Sequence, residues 1–110
     1  MSAPGAESRL DAVIQHPTKL AVVSFLSACA EAEFKTVWQR LGLTDSALSK
    51  TVSALESAGY VAVRKGFVGK RARTWVALTP HGRKRLVEHL EALRTIAGRA
   101  SELGEGAGPA

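Results

Sequence analysis

One cysteine, Cys29, stands in the whole sequence. That excludes an intrachain disulfide and any cysteine-based zinc site. Its setting, LSACAEA on an apolar stretch with no cluster of cations beside it, reads as a small buried hydrophobe rather than a reactive thiol. Histidine is nearly as scarce. His16, His81 and His89 have no Asp or Cys partner at ligand spacing, and His81 and His89 are too far apart on one helix to share an ion. They read as surface or capping residues, and no metal site is expected. No nucleophile elbow, phosphate loop or HExxH motif occurs, so neither an enzyme activity nor a cofactor is expected. No apolar run approaches the roughly 20 residues of a membrane span. The start, MSAPGAESRL, lacks the basic and apolar blocks of a secretory signal. A cytoplasmic, non-membrane protein is the expectation.

Acidic residues are missing from one long stretch. Residues 1–41 hold four acids (Glu7, Asp11, Glu31, Glu33) and four bases (Arg9, Lys19, Lys35, Arg40), so the net charge of +5 arises entirely beyond them. Between Glu56 and Glu88 there is no acid at all, whereas Arg64, Lys65, Lys70, Arg71, Arg73, Arg83, Lys84 and Arg85 all fall there. A field of one sign concentrates polyanions. The candidates are nucleic acid, an anionic membrane surface or an acidic protein.

What is present fits one domain of 110 residues. Residues 1–6 and 102–110 read as flexible, Gly- and Ala-containing tails around a domain at 7–101. Leu10, Val13 and Ile14 predict a short amphipathic helix over Glu7–Gln15, ended by His16-Pro17. Pro17 then opens a core helix to about Ala30. After an extended link at Glu33-Phe34, FKTVWQRLG predicts a two-turn helix stopped by Gly42. Thr44 caps the next helix, whose apolar stripe is Leu48, Val52 and Leu55 and whose stop is Gly59. Alternation over Tyr60–Lys65 and Thr74–Leu78 predicts a β-hairpin with a basic tip at about 67–72. Thr79-Pro80 opens a last helix over about 80–101.

Two helices joined by a tight Gly42-Leu43 turn form a helix-turn-helix, whose second helix can enter the major groove. Opposite the Leu48, Val52, Leu55 stripe lie Ser46, Lys50, Ser53 and Ser57, with Ser49 on the flank. Short hydroxyls keep that face slim, and Lys50 can read guanine. Ser57 sits too near the C-terminal end to contribute. Serine on a solvent face is unremarkable alone. It gains meaning from the glycine turn before it and the basic hairpin after it.

The segments FKTVWQRLGLTDSALSKTVSALESAGYVAVRK and RTWVALTPHGRKRL resemble winged-helix transcriptional regulators of the MarR and ArsR families, over about Pro17–Leu93. The wing, GFVGKRARTW, departs from the Asp-x-Arg pattern of MarR wings, so the chain is more similar to short MarR-like proteins. The resemblance implies a mainly α, α+β fold: a winged helix-turn-helix with a β-hairpin wing and terminal helices for dimerisation. It implies a sequence-specific regulator of double-stranded DNA, of repressor type. Thr44, Ser46, Ser49, Lys50 and Ser53 would serve the major groove, and Lys65, Lys70, Arg71 and Arg73 the phosphates or the adjacent minor groove. The last helix, with Leu86, Leu90, Leu93 and Ala97 near heptad spacing, would form a homodimer beside Leu10, Val13 and Ile14. The alternatives are that this stripe packs wholly within its own domain, and that the chain is a winged-helix module for a protein or RNA partner. The sequence does not specify an effector.

Overall fold

The computed structural model describes residues 5–108. The ends of both expected tails, 1–4 and 109–110, lie outside these. A 3-10 turn at Ala6–Arg9 leads into helix α1 (Pro17–Ser27), strand β1 (Ala32–Glu33), helix α2 (Phe34–Arg40) and helix α3 (Asp45–Ser57). Strands β2 (Val61–Val68) and β3 (Arg71–Leu78) and helix α4 (Pro80–Gly104) complete the chain. The strands form one antiparallel sheet in the order β1-β3-β2. Among the described residues, no helix is long and apolar enough to cross a membrane.

The helix ends follow local chemistry. The side chain of His16 accepts from the Thr18 amide ahead of α1, and Thr44 and Thr79 do the same for Ala47 and Gly82. Gly42 and Gly59 adopt left-handed φ values of 69° and 79°. Around each, the next amide reaches back to close the helix: Leu43 to the Trp38 carbonyl at 2.9 Å, and Tyr60 to that of Leu55 at 2.9 Å. The α2–α3 turn is therefore fixed by the backbone rather than by a long linker.

The core joins Val22, Val23 and Leu26 of α1 to Val37, Leu48, Val52 and Leu55, with Tyr60, Val61, Val76, Leu86 and Ile14 closing it. Two residues expected at a dimer surface, Ile14 and Leu86, are thus buried in the chain's own body. The α4 pattern blends two stripes. Gly82, Leu86, His89 and Ala92 face inward, whereas Val87, Leu90, Leu93 and Ala97 are exposed. Leu10 and Val13 are half-buried.

The expected helix over Glu7–Gln15 does not form. Its first residues make the 3-10 turn, and the chain becomes extended at Leu10 (ψ 141°). Asp11 is the cause: its Oδ1 accepts from the amides of Val13 and Ile14, and its own amide donates to His89 Nδ1 at 2.9 Å. In a continuing helix the Asp11 amide would have gone to a carbonyl four residues back. His89, read as a surface or capping residue, is 1% exposed. Ala6, placed in the tail by composition, is buried as well.

Candidate nucleic-acid interface

Helix α3 turns Leu48, Thr51, Val52 and Leu55 into the core. Its other side carries Ser46, Ser49, Lys50 and Ser53, all exposed. Thr44 is exposed too, but its Oγ1 accepts from the Ala47 amide at 3.0 Å and lies 3.4 Å from Ser46 Oγ. It therefore fixes the start of the helix and the setting of Ser46. Beside α3 runs a cleft of about 260 Å³ lined by Ser49, Val52, Ser53 and Glu56 on the helix and Val63, Lys65 and Thr74 on the hairpin. Lys65 thus joins the serine face across the cleft.

The register Val63↔Val76, Lys65↔Thr74, Phe67↔Ala72 sets one hairpin face toward α3. The opposite face holds Arg64, Gly66, Arg73 and Trp75, and here the sequence misleads. The stretch free of acids along the chain meets two acids in space. Arg64 pairs with Glu31 at 2.6 Å, and Arg73 pairs with Glu33, which β1 carries against β3. The hydrogen bond from Arg64, more than its charge, holds the Glu31 carboxyl below the usual range despite some desolvation. The Arg64 guanidinium also lies 4.1 Å from the Trp75 ring centre. Gly66 makes room for that ring: a Cβ there would stand 3.3 Å from Trp75 Cζ3. Its role is cross-strand packing, since its backbone is not left-handed; only Gly69 at the tip has a positive φ, 62°. Lys70 and Arg71 are exposed at this tip. The repeated Glu-x-Glu at 31–33 was the available signal for the two ion pairs, but nothing local shows which strand it meets.

The surface therefore divides. Ser49, Ser53 and Lys65 come together at the cleft, Ser46 and Lys50 are exposed on the same helix outside it, Lys70 and Arg71 are exposed at the hairpin tip, and Arg73 is held by Glu33 on the other face. Among the described residues no group of His, Cys, Asp and Glu is disposed to hold a metal ion.

No curated protein matches the chain in sequence. Among solved structures, the transcriptional regulator homologue of Pyrococcus horikoshii OT3 superposes with a TM-score of 0.75 at 26% identity, covering 80% of this chain and 87% of that one. A protein of Enterococcus faecalis V583 assigned to the MarR family of transcriptional regulators gives 0.67 at 20% identity, over 84% of this chain and 83% of that one. Bacillus subtilis PadR, solved in complex with operator DNA, gives 0.61 at 19% identity, over 69% of this chain and 48% of that one. Several matched structures are longer, and this chain spans between 48% and 61% of them. A family model for the winged helix DNA-binding domain matches residues 18–97, from the first turn of α1 well into α4. The chain belongs to the winged helix DNA-binding domain family, with the MarR-like fold of transcriptional regulators.

Proposed function

We propose that the chain is a sequence-specific, double-stranded DNA-binding transcriptional regulator in the cytoplasm, acting as a homodimer and repressing by occupying its site. In this reading α3 lies in the major groove. Lys50 and the hydroxyls of Ser46, Ser49 and Ser53 face base edges and phosphates, and Lys65, Lys70 and Arg71 follow the backbone or the neighbouring minor groove. Arg73 joins them by exchanging Glu33 for phosphate. The observation that carries the reading is the slim hydroxyl face of α3, exposed and bordered across a cleft by Lys65. An α-helix about 10–12 Å across just fits a groove about 12 Å wide, so long side chains there would hold the backbone away.

Two substitutions separate the roles. Lys50→Ala should change which sequences are preferred, by about 1–3 kcal/mol at the affected base pair. Arg71→Ala should weaken binding to all duplexes and reduce the salt slope by about one. Gel shifts over a salt series, with duplexes selected from genomic fragments, read both. A purified protein that selects no duplex over competitor DNA, yet binds RNA or an acidic protein, would remove this reading.

A further inference from the structure

The sequence has six aromatic residues, and five are accounted for by the fold. Phe25, Phe34 and Trp38 pack against the core, Tyr60 is buried within it, and Trp75 lies beneath Arg64. Phe67 is different. It is 74% exposed, and its neighbour Val68 is 58% exposed, at the far end of the hairpin. Strand alternation puts Phe67 on the same face as Val63 and Lys65, the α3 side, about 7 Å beyond Lys65 toward the tip.

Its surroundings identify the partner. Lys65 precedes it on the same face, across the cleft from Glu56, and Lys70 and Arg71 follow at the tip, Arg71 paired with Val68 on the other face; among the described residues none of these three cations is in an ion pair, and Glu31 and Glu33 are engaged with Arg64 and Arg73. An apolar group between cations matches a surface with an apolar slot between two anionic rails. The minor groove of duplex DNA, about 6 Å wide between phosphate strands, offers such a slot where a base step opens and exposes the apolar faces of its bases. Apolar side chains that enter it wedge base steps apart and bend the duplex. With α3 in the major groove, a hairpin with eight-residue strands extends to the groove alongside.

We propose that Phe67 is a minor-groove wedge, inserted at a base step flanking the sequence read by α3, with Lys70 and Arg71 holding the phosphates on either side. The inference rests on α3 being the recognition helix. It adds that recognition extends beyond that helix through the deformability of a flanking step, pyrimidine–purine steps being the easiest to open.

The test uses the full chain and a duplex that the wild type selects from a random pool, with 2-aminopurine placed in turn at each flanking adenine. Wild type should raise aminopurine fluorescence at one step, and energy transfer between end labels should report a bend. Phe67→Ala should abolish the rise, reduce the bend and weaken affinity about 10-fold, the scale of one lost aromatic contact to a base. The preference read by α3 should stay unchanged. Phe67→Leu, which keeps an apolar wedge, should retain most of the signal. Both variants should unfold at the wild-type temperature, since the side chain is outside the core. A flat aminopurine profile with tight wild-type binding, or a Phe67→Ala protein that binds and bends like wild type, overturns the wedge and leaves the reading of α3 standing. A wild type that selects no duplex removes both. Loss of binding to phosphatidylserine vesicles, with duplex binding intact, would assign Phe67 to a membrane surface and overturn the proposal.

Discussion

Asp11 holds the N-terminal segment to the body. It is 2% exposed, yet its carboxylate is fully engaged: Oδ2 accepts from the Tyr60 hydroxyl and from Arg85 Nε at 2.9 Å, and Oδ1 takes two amides. Burial by itself would raise the Asp11 pKa; the bonds from Tyr60, Arg85, Ile14 and Val13 together outweigh it and hold the carboxyl below its ordinary value. A depressed folded pKa contributes stability above the unfolded value, about 3.9, and that contribution is lost as pH falls through the folded value. Asp11→Asn removes the buried anion that Tyr60 and Arg85 share, leaving Arg85 only Glu88 at 3.8 Å, and should lower unfolding free energy at pH 7 by about 3 kcal/mol. Urea titrations at pH 7 and pH 3 should show the gap between variant and wild type closing in acid; equal gaps would mean the carboxylate charge is irrelevant. Neither Asp11 nor His89 announces this role in the sequence. Their partners stand 49, 74 and 78 positions away, and a balanced count of charges in residues 1–41 reveals nothing about which acid is buried.

At the scale of elements, the wing and α4 meet at Gly82. A Cβ there would lie 2.2 Å from the Tyr60 carbonyl oxygen and 2.8 Å from Leu78 Cδ1, so α4 is seated directly on the backbone that leads into β2. Thr79 ties the same corner, donating to the Gly59 carbonyl at 2.7 Å and accepting from the Gly82 amide at 3.0 Å. Gly82→Ala should destabilise the fold by about 3 kcal/mol through overpacking. Gly98, in the same helix with nothing within 4 Å of its would-be Cβ, should respond oppositely. Gly98→Ala should add about 0.5–1 kcal/mol of stability, the helix-propensity difference. Denaturant midpoints giving both substitutions the same sign would contradict this account. The starts and stops of these elements were legible because they are short-range: Thr44, Gly42, Gly59 and Thr79-Pro80 act within a few residues. The hairpin was legible in existence but not in length. Gly66 breaks the alternation after Lys65, and the two strands nevertheless pair out to Val68↔Arg71, since that glycine accommodates the Trp75 ring. Pairing of β1 with β3 joins positions 32 and 76, which no local pattern foretells.

For the whole molecule, shape carries the argument. The Cα radius of gyration is 17.8 Å, against about 13 Å for a compact domain of about 100 residues. The excess comes with α4, whose 25 residues span about 37 Å, more than the body needs. Along it Val87, Leu90, Leu93 and Leu103 are exposed, the last to 84%. Water contact along such a stripe is unfavourable by about 25 cal/mol per Å² of apolar surface. A second copy laid against it would bury the stripe symmetrically. The two α3 helices must then sit about 34 Å apart if they are to meet successive major-groove faces of one palindrome. Ile14 and Leu86 take no part, being inside the body. Half-buried Leu10 and Val13 would border the contact. Leu90→Glu combined with Leu93→Glu should therefore leave the fold intact while halving the sedimenting mass to the 11.6 kDa of one chain. The same protein should still meet a half-site through α3 and Lys50, but lose the dependence on the spacing between half-sites that a dimer imposes. A wild type that sediments at 11.6 kDa while binding a palindrome as one cooperative unit would place the contact on DNA alone, and α4 would then need another partner.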